Sequence, residues 1–334
     1  MKRILYILLI IPLLISCKSK NEVEFSTDPV TNIEALWQII DTKYCYVEQK
    51  GVDWNAIHDE YIAKAKNLGY GEIELFDLCA QMLDTLHDGH VNLISYFDQS
   101  YNTTWYDAYP ANFDTDLQKL YLKDYRIGNG LYYCTILNDS IGYIYYPSFS
   151  NSVTSLTWVL YYYFRNCCGV IIDVRNNGGG DMNNSFELAA PFFSENRVVG
   201  WWNHKTGPGH NEFSSMEKLV VDTIKHAAYR WLRPVIVLTN RRSYSATNLF
   251  VNIMRYADNC TIIGGVTGGG GGMPMSYELP CGWIVRFSSV RMYDADKKDI
   301  EQGIKPDILV NMVSTDKDDI IEKAISTILN AVKQ

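Results

Sequence analysis

The chain has 334 residues, with 30 Lys and Arg against 38 Asp and Glu, a formal net charge of −8. At 47% hydrophobic and 20% charged it has ample material for a large core, and its acidic balance speaks against a nucleic-acid partner. Its eight cysteines include no Cys-x-x-Cys pair, which disfavours zinc and thioredoxin-type chemistry, and no metal or cofactor is expected.

Met1-Lys2-Arg3 is basic, Ile4 to Ile15 is apolar, and Leu14-Ile15-Ser16-Cys17 has the Leu-x-small-Cys form of a lipoprotein cleavage site. The apolar run is too short for a good membrane-spanning helix. The expectation is a cleaved signal over 1–16, a lipidated Cys17 anchoring the chain in a bacterial cell envelope, most simply the outer membrane, and a polar tether over 17–30.

Residues 31–90 read as a small helical bundle. Ile33, Leu36, Trp37 and Ile40 form one stripe, Trp54, Ile57, Tyr61 and Ala65 a second, and Leu75, Leu78, Met82 and Leu86 a third. Asp53 and Glu72 suit first-turn positions. Residues 91–135 are aromatic and irregular, with a weak strand at Val91–Ser95. From 136 to 334 strands and helices alternate. Strands are predicted at 141–146, 169–175, 235–240, 261–264 and 284–287, and helices at 155–164, 183–193, 246–257 and 316–332. Gly169-Val-Ile-Ile-Asp-Val-Arg175 is continuous and apolar, as a strand buried on both faces requires. The order implies an α/β core with helices packed on a sheet.

Four places carry chemistry. Strand 235–240 leads through Arg241-Arg242-Ser243-Tyr244-Ser245-Ala246 into a helix. A serine there is either a helix N-cap or a nucleophile exposed at a strand end. Strand 169–175 ends in Asn176-Asn177-Gly178-Gly179-Gly180-Asp181, where backbone N–H groups can approach a ligand closely. No Lys-Ser/Thr follows these glycines, so a phosphate loop is disfavoured, and no dinucleotide fingerprint occurs. The second glycine run, Gly264 to Gly272, reads as a flexible loop, either a mobile surface or a cover for a cleft. His87-Asp88-Gly89-His90 closes the helical region and places imidazoles on a turn.

Leu86-His-Asp-Gly-His90, Gly169 to Gly180, Ser243-Tyr-Ser-Ala246 and Gly303-Ile-Lys-Pro-Asp307 stand in the order found in the C-terminal processing (tail-specific) peptidases. The chain resembles that superfamily, which includes the tricorn core protease, over roughly 31–312, and in particular resembles exported lipoprotein peptidases of Bacteroidetes-type bacteria. The resemblance implies a crotonase-like (ClpP/crotonase-type) α/β core behind a helical domain. It implies a serine peptidase acting on extracytoplasmic peptides or proteins, with Ser245 as nucleophile and Ala246 with Gly178 or Gly179 as oxyanion donors. The lysine base of the serine–lysine branch would fall at Gly270, and no lysine occurs between Lys225 and Lys297. The tricorn-like branch implies His90 as base and Glu301 as the acidic member of its charge network, with Asp88 either orienting His90 or capping a turn. The segment 91–135 is too short for a peptide-binding PDZ insert of ~80–100 residues. Substrate selection is then expected from 91–135 and from the loop 196–214, with Trp201, Trp202 and Gly268 at the cleft. The alternative on the same fold is an inactive binding protein for an apolar or peptide ligand. A crotonase-type acyl transferase is a further rival, disfavoured by the lipoprotein leader.

Overall fold

A computed structural model describes residues 24–69, 71–223 and 229–333 of the chain. The expected signal and Cys17 lie outside the described residues. Three helices open the fold, Pro29–Lys43, Trp54–Ala65 and Glu72–Asp84. Asp28 and Asp53 cap the first two by accepting the Thr31 and Ala56 N–H groups.

Twelve strands follow: β1 Asn92–Ile94, β2 Arg126–Gly128, β3 Leu131–Ile136, β4 Ile141–Tyr145, β5 Gly169–Asp173, β6 Arg197–His204, β7 Glu217–Val221, β8 Val235–Thr239, β9 Cys260–Gly264, β10 Met273–Glu278, β11 Ile284–Asp294 and β12 Ile308–Leu309. Seven of them form a sheet in the order β12-β9-β8-β5-β4-β3-β2, parallel from β12 to β4 and antiparallel beyond. All residues of β5 and β8 are buried, as their unbroken apolar runs require. One face packs on helices Met182–Ala189 and Ala246–Met254 through Leu188, Leu249, Phe250 and Ile253. The other is covered by helix Asp319–Val332, whose Ile320, Ile321, Ala324 and Ile328 meet Ile171, Ile236 and Leu238. Because β5, β8 and β9 are parallel, the loops after them emerge on one edge, where open α/β sheets hold ligands.

The second sheet runs β1-β11-β6-β7 with β10 on β11. Strand β11 sends Val285 and Phe287 into the core made by Ile33, Leu36, Leu78 and Met82. The N-terminal helices are therefore no separate bundle; they share one core with β10 and β11.

Other expectations are corrected. The core sheet begins at Arg126, since β2 and β3 pair with β4 through β3. The expected loop 196–214 contains strand β6, paired to both β11 and β7. The helix at 155–164 is a short α turn that widens into a π turn at Val159–Tyr163. The glycine run is mostly buried and forms no surface loop. Its glycines fit where side chains cannot: a Cβ on Gly269 would stand 1.8 Å from the Glu301 carbonyl oxygen.

Arg175, fully buried, ties the end of β5 to the last helix. It donates to Asp173 at 2.9 and 2.7 Å and to Asp318 at 3.1 Å, and lies over the Phe113 ring. Asp318 in turn accepts the Ile320 and Ile321 N–H groups. Arg175→Ala leaves two buried carboxylates without a cation, and should lower stability by about 3–5 kcal/mol in urea denaturation. A loss below ~1 kcal/mol would show that the network is dispensable.

Candidate active site

Both serines after β8 sit at the edge where its loop meets the β5 turn, and their surroundings separate them. Ser243 is spent on structure: its Oγ donates to the Val174 carbonyl at 2.9 Å and accepts the Asn240 N–H at 3.1 Å. Ser245 holds φ 60° and ψ −122°, a conformation rare for a residue with a side chain. It stands at the N-cap position of helix Ala246–Met254, yet its side chain makes no capping bond. Its Oγ lies instead 3.0 Å from His90 Nε2. Backbone bonds grip the turn, from Tyr244 N–H to Asn177 O at 3.0 Å, Ser245 N–H to Gly269 O at 2.9 Å, and Gly268 N–H to Ser243 O at 2.8 Å.

His90 arrives from the other end of the chain. It is buried between β11 and Tyr244, whose ring centroid is 4.8 Å away and stacks on Trp105. Its second nitrogen, Nδ1, faces Ser288 Oγ at 3.3 Å. If Nε2 accepts the Ser245 proton, Nδ1 keeps its own and donates to Ser288. Burial drives the imidazole pKa down to about 4, with the Arg286 and Lys50 charges assisting and Asp88 opposing. The ring is therefore neutral, and basic at Nε2, at ordinary pH.

The expected acidic partner does not touch the imidazole. Glu301 Oε1 meets Lys50 Nζ at 3.6 Å, and Lys50 reaches Asp88 at 3.4 Å. Asp88 accepts the His90 backbone N–H at 2.8 Å and the Tyr44 hydroxyl. Glu301 thus acts on His90 only through Lys50 and Asp88, and Asp88 fixes the backbone that carries the ring. Burial and the Asp88 charge push the Glu301 carboxyl up to about 8. Burial works the same way on Asp88, but Lys50, His90 and the Tyr44 hydrogen bond outweigh it and hold Asp88 below the usual carboxylate range. One cation between two buried carboxyls supports one ionised group, so Asp88 carries the charge and Glu301 the proton.

Ala246 N–H, at the helix start, donates to no backbone carbonyl among the described residues. Gly179, φ +101°, abuts it: a Cβ there would stand 2.8 Å from Ser245 Cβ and 2.9 Å from Ala246 N. The Gly179 N–H itself is committed to Asn177 Oδ1 at 3.0 Å, which removes it from the expected donors. Gly178 and Gly180 flank it, their N–H groups without a partner among the described residues, and line the space beside Ser245.

The structure separates the other expected residues from the site. Trp201 donates to the Ala295 carbonyl, lies under Lys218 and Lys297, and is held in β6. Trp202 packs on the core opposite Met292. Neither lines a cavity at Ser245. Gly268 packs behind the site against Arg241, Trp105 and Tyr244, while Gly270 and Gly272 reach the cavity in its place. Ser288 and Arg286, which sequence reasoning missed, stand two apart on β11 and so share the face turned to His90. Among the described residues no group of three or more His, Cys, Asp or Glu is placed to hold a metal ion.

Residues 140–310 match the family model described as peptidase family S41, and 28–84 match the tricorn protease C1 domain. A crystal structure from Parabacteroides merdae ATCC 43184 is 44% identical, covering 91% of this chain and 98% of that one at a TM-score of 0.85. The carboxyl-terminal-processing protease of Synechocystis sp. is 26% identical over 175 residues, 51% of this chain and 38% of that protein. The chain thus spans less than two fifths of the length of the curated relatives it matches. Mature CPAF shares the fold at 12% identity and a TM-score of 0.69, over 91% of this chain and 98% of that one.

An NMR titration of the histidines, with His90 assigned by the resonance lost in His90→Gln, should place its midpoint near 4. A midpoint near the ordinary value of about 6.5 would contradict the buried, neutral imidazole.

Proposed function

We propose that this chain, which belongs to peptidase family S41, is a serine peptidase that hydrolyses peptide bonds through an acyl-enzyme on Ser245 with His90 as general base. The observation that carries the reading is the 3.0 Å approach of Ser245 Oγ to the Nε2 of an imidazole kept neutral by burial.

His90 takes the Ser245 proton as Oγ attacks the scissile carbonyl. The developing oxyanion turns toward Ala246 N–H and the Gly178–Gly180 turn, donors that need no reorganisation. The imidazolium then hands its proton to the leaving amine. Water repeats the sequence on the acyl-enzyme, with His90 again as base. Ser288 and Asp88 are positioning residues: one receives the Nδ1 proton donor, the other anchors the backbone. The low basicity of His90 costs driving force for the first transfer but makes the imidazolium a strong acid toward the departing amine.

Ser245→Ala should lower kcat on an unstructured peptide mixture by roughly 10⁴-fold or more without altering the circular dichroism spectrum, and His90→Ala should do nearly the same. Near-wild-type turnover in the Ser245→Ala protein would remove the assignment, and near-wild-type turnover in the His90→Ala protein would put the base elsewhere.

A further inference from the structure

Two cavities meet at Ser245, one walled mostly by aliphatic and methionine side chains, the other by a mixture of polar and aromatic ones, Tyr101, Trp105 and Tyr244 among them. A cavity of about 240 Å³ is walled by Met182, Leu249, Met273 and Met292, with Ala246 on its side. Asp181 at its edge is committed as a helix cap, accepting the Asn183 N–H at 2.9 Å. A second cavity, about 690 Å³, is lined by His90, Asn92, Gln99, Asn102, Tyr106 and Arg286. Gly180, Ser245 and Pro274 line both, so the two meet at the hydroxyl.

Arg286 is half-buried on β11 in the second cavity. Its hydrogen bond is from Nη1 to Asn92 Oδ1 at 3.3 Å, and no carboxylate pairs with it among the described residues. The contrast with its neighbours is sharp. Arg175 is held by Asp173 and Asp318, and Lys50 by Asp88 and Glu301. A guanidinium has five N–H donors in a fork that fits a carboxylate. At this half-buried position the remaining donors face the cavity, open to an anionic ligand. Its charge also reaches the catalytic pair, adding to burial in keeping His90 neutral.

Chemistry orients a substrate across the two cavities. In acyl transfer the carbonyl oxygen sits by the hydrogen-bond donors and the leaving amine by the base. Ala246 lines the methionine cavity, and His90 lines the mixed cavity that holds Arg286. The acyl side chain therefore occupies the cavity of methionines, and the leaving fragment runs past His90 toward Arg286.

We infer that Arg286 binds a carboxylate on the leaving fragment, so that the enzyme favours an apolar residue before the scissile bond and an anion close behind it. The anion is either the α-carboxylate of a chain end or an Asp or Glu side chain. This inference rests on the Ser245 peptidase reading for its direction, though the Arg286 site is testable without turnover.

Three peptides sharing an acyl half that ends in Leu test it. Their leaving halves are Ala-amide, Ala with a free carboxylate, and Asp-amide. Wild-type kcat/KM should favour a carboxylate-bearing peptide over the neutral one by roughly tenfold. The ratio should fall to about one in Arg286→Gln and persist in Arg286→Lys, which keeps the charge. Preference for the free acid alone assigns the chain end, and preference for Asp-amide alone assigns the side chain. A wild-type ratio near one, or a ratio retained in Arg286→Gln, overturns the proposal. Titration of the same peptides onto Ser245→Ala protein reads binding alone and should give the same order. Equal affinities there overturn it too. A protein that cleaves none of the peptides yet binds the carboxylate forms more tightly defeats the peptidase reading and leaves the Arg286 site standing.

Discussion

The backbone of Ser245 is the constraint around which the rest is arranged. Its φ of 60° and ψ of −122° cost of order 1–3 kcal/mol and persist only where the surroundings over-determine them. Here the surroundings are the two glycine runs. Asn177, ahead of the first, receives the Tyr244 N–H, and Gly269, in the second, receives the Ser245 N–H. Gly179 presses so closely on Ser245 and Ala246 that no side chain fits between them. Gly269 is wedged still more tightly against Glu301. The strained turn frees the serine hydroxyl from capping and aims it out of the sheet edge, which is what a nucleophile requires.

The partner of that serine comes from the far end of the sequence, and buried charge holds it there. Lys50 from the N-terminal region, Asp88 beside His90 and Glu301 from beyond β11 meet in one buried cluster. Removing Lys50 or Asp88 leaves the other's charge uncompensated away from water, which is costly. The cluster thus fastens the helices to the core at the place where His90 must meet Ser245. The shared packing of Leu36, Leu78 and Met82 with Val285 and Phe287 does the same with apolar surface. A core beginning at residue 136 would hold Ser245 and lack His90.

Much of this was legible because local pattern and global fold agree. The unbroken apolar runs of β5 and β8, the helical stripes at 33–40 and 75–86, and the serine between strand and helix each follow from side-chain periodicity. The choice of Ser245 over Ser243 came from resemblance, since the two serines differ only in tertiary partners. What was hidden is tertiary in kind. Gly207-Pro208-Gly209 suggests a loop that brings Trp201 and Trp202 to the cleft, whereas pairing with β11 and β7 makes the segment a strand. The resemblance implies Glu301 only as a member of a charge network, and Lys50, which joins it to Asp88, lies some 250 residues away in the chain. Ser288 lies beyond the strand predicted at 284–287, and Arg286, though inside it, carries no local sign of what its face meets. A period-2 reading continued to Asp294 would have put both on the face opposite Val285 and Phe287.

Peptide mapping by mass spectrometry after reaction with a fluorophosphonate tests the central claim most directly, because the adduct records which hydroxyl attacks. The account predicts one adduct, on Ser245, formed at a rate that collapses in the His90→Ala protein. An adduct on Ser243 or Ser288, or a folded wild-type protein that takes no label, would contradict it.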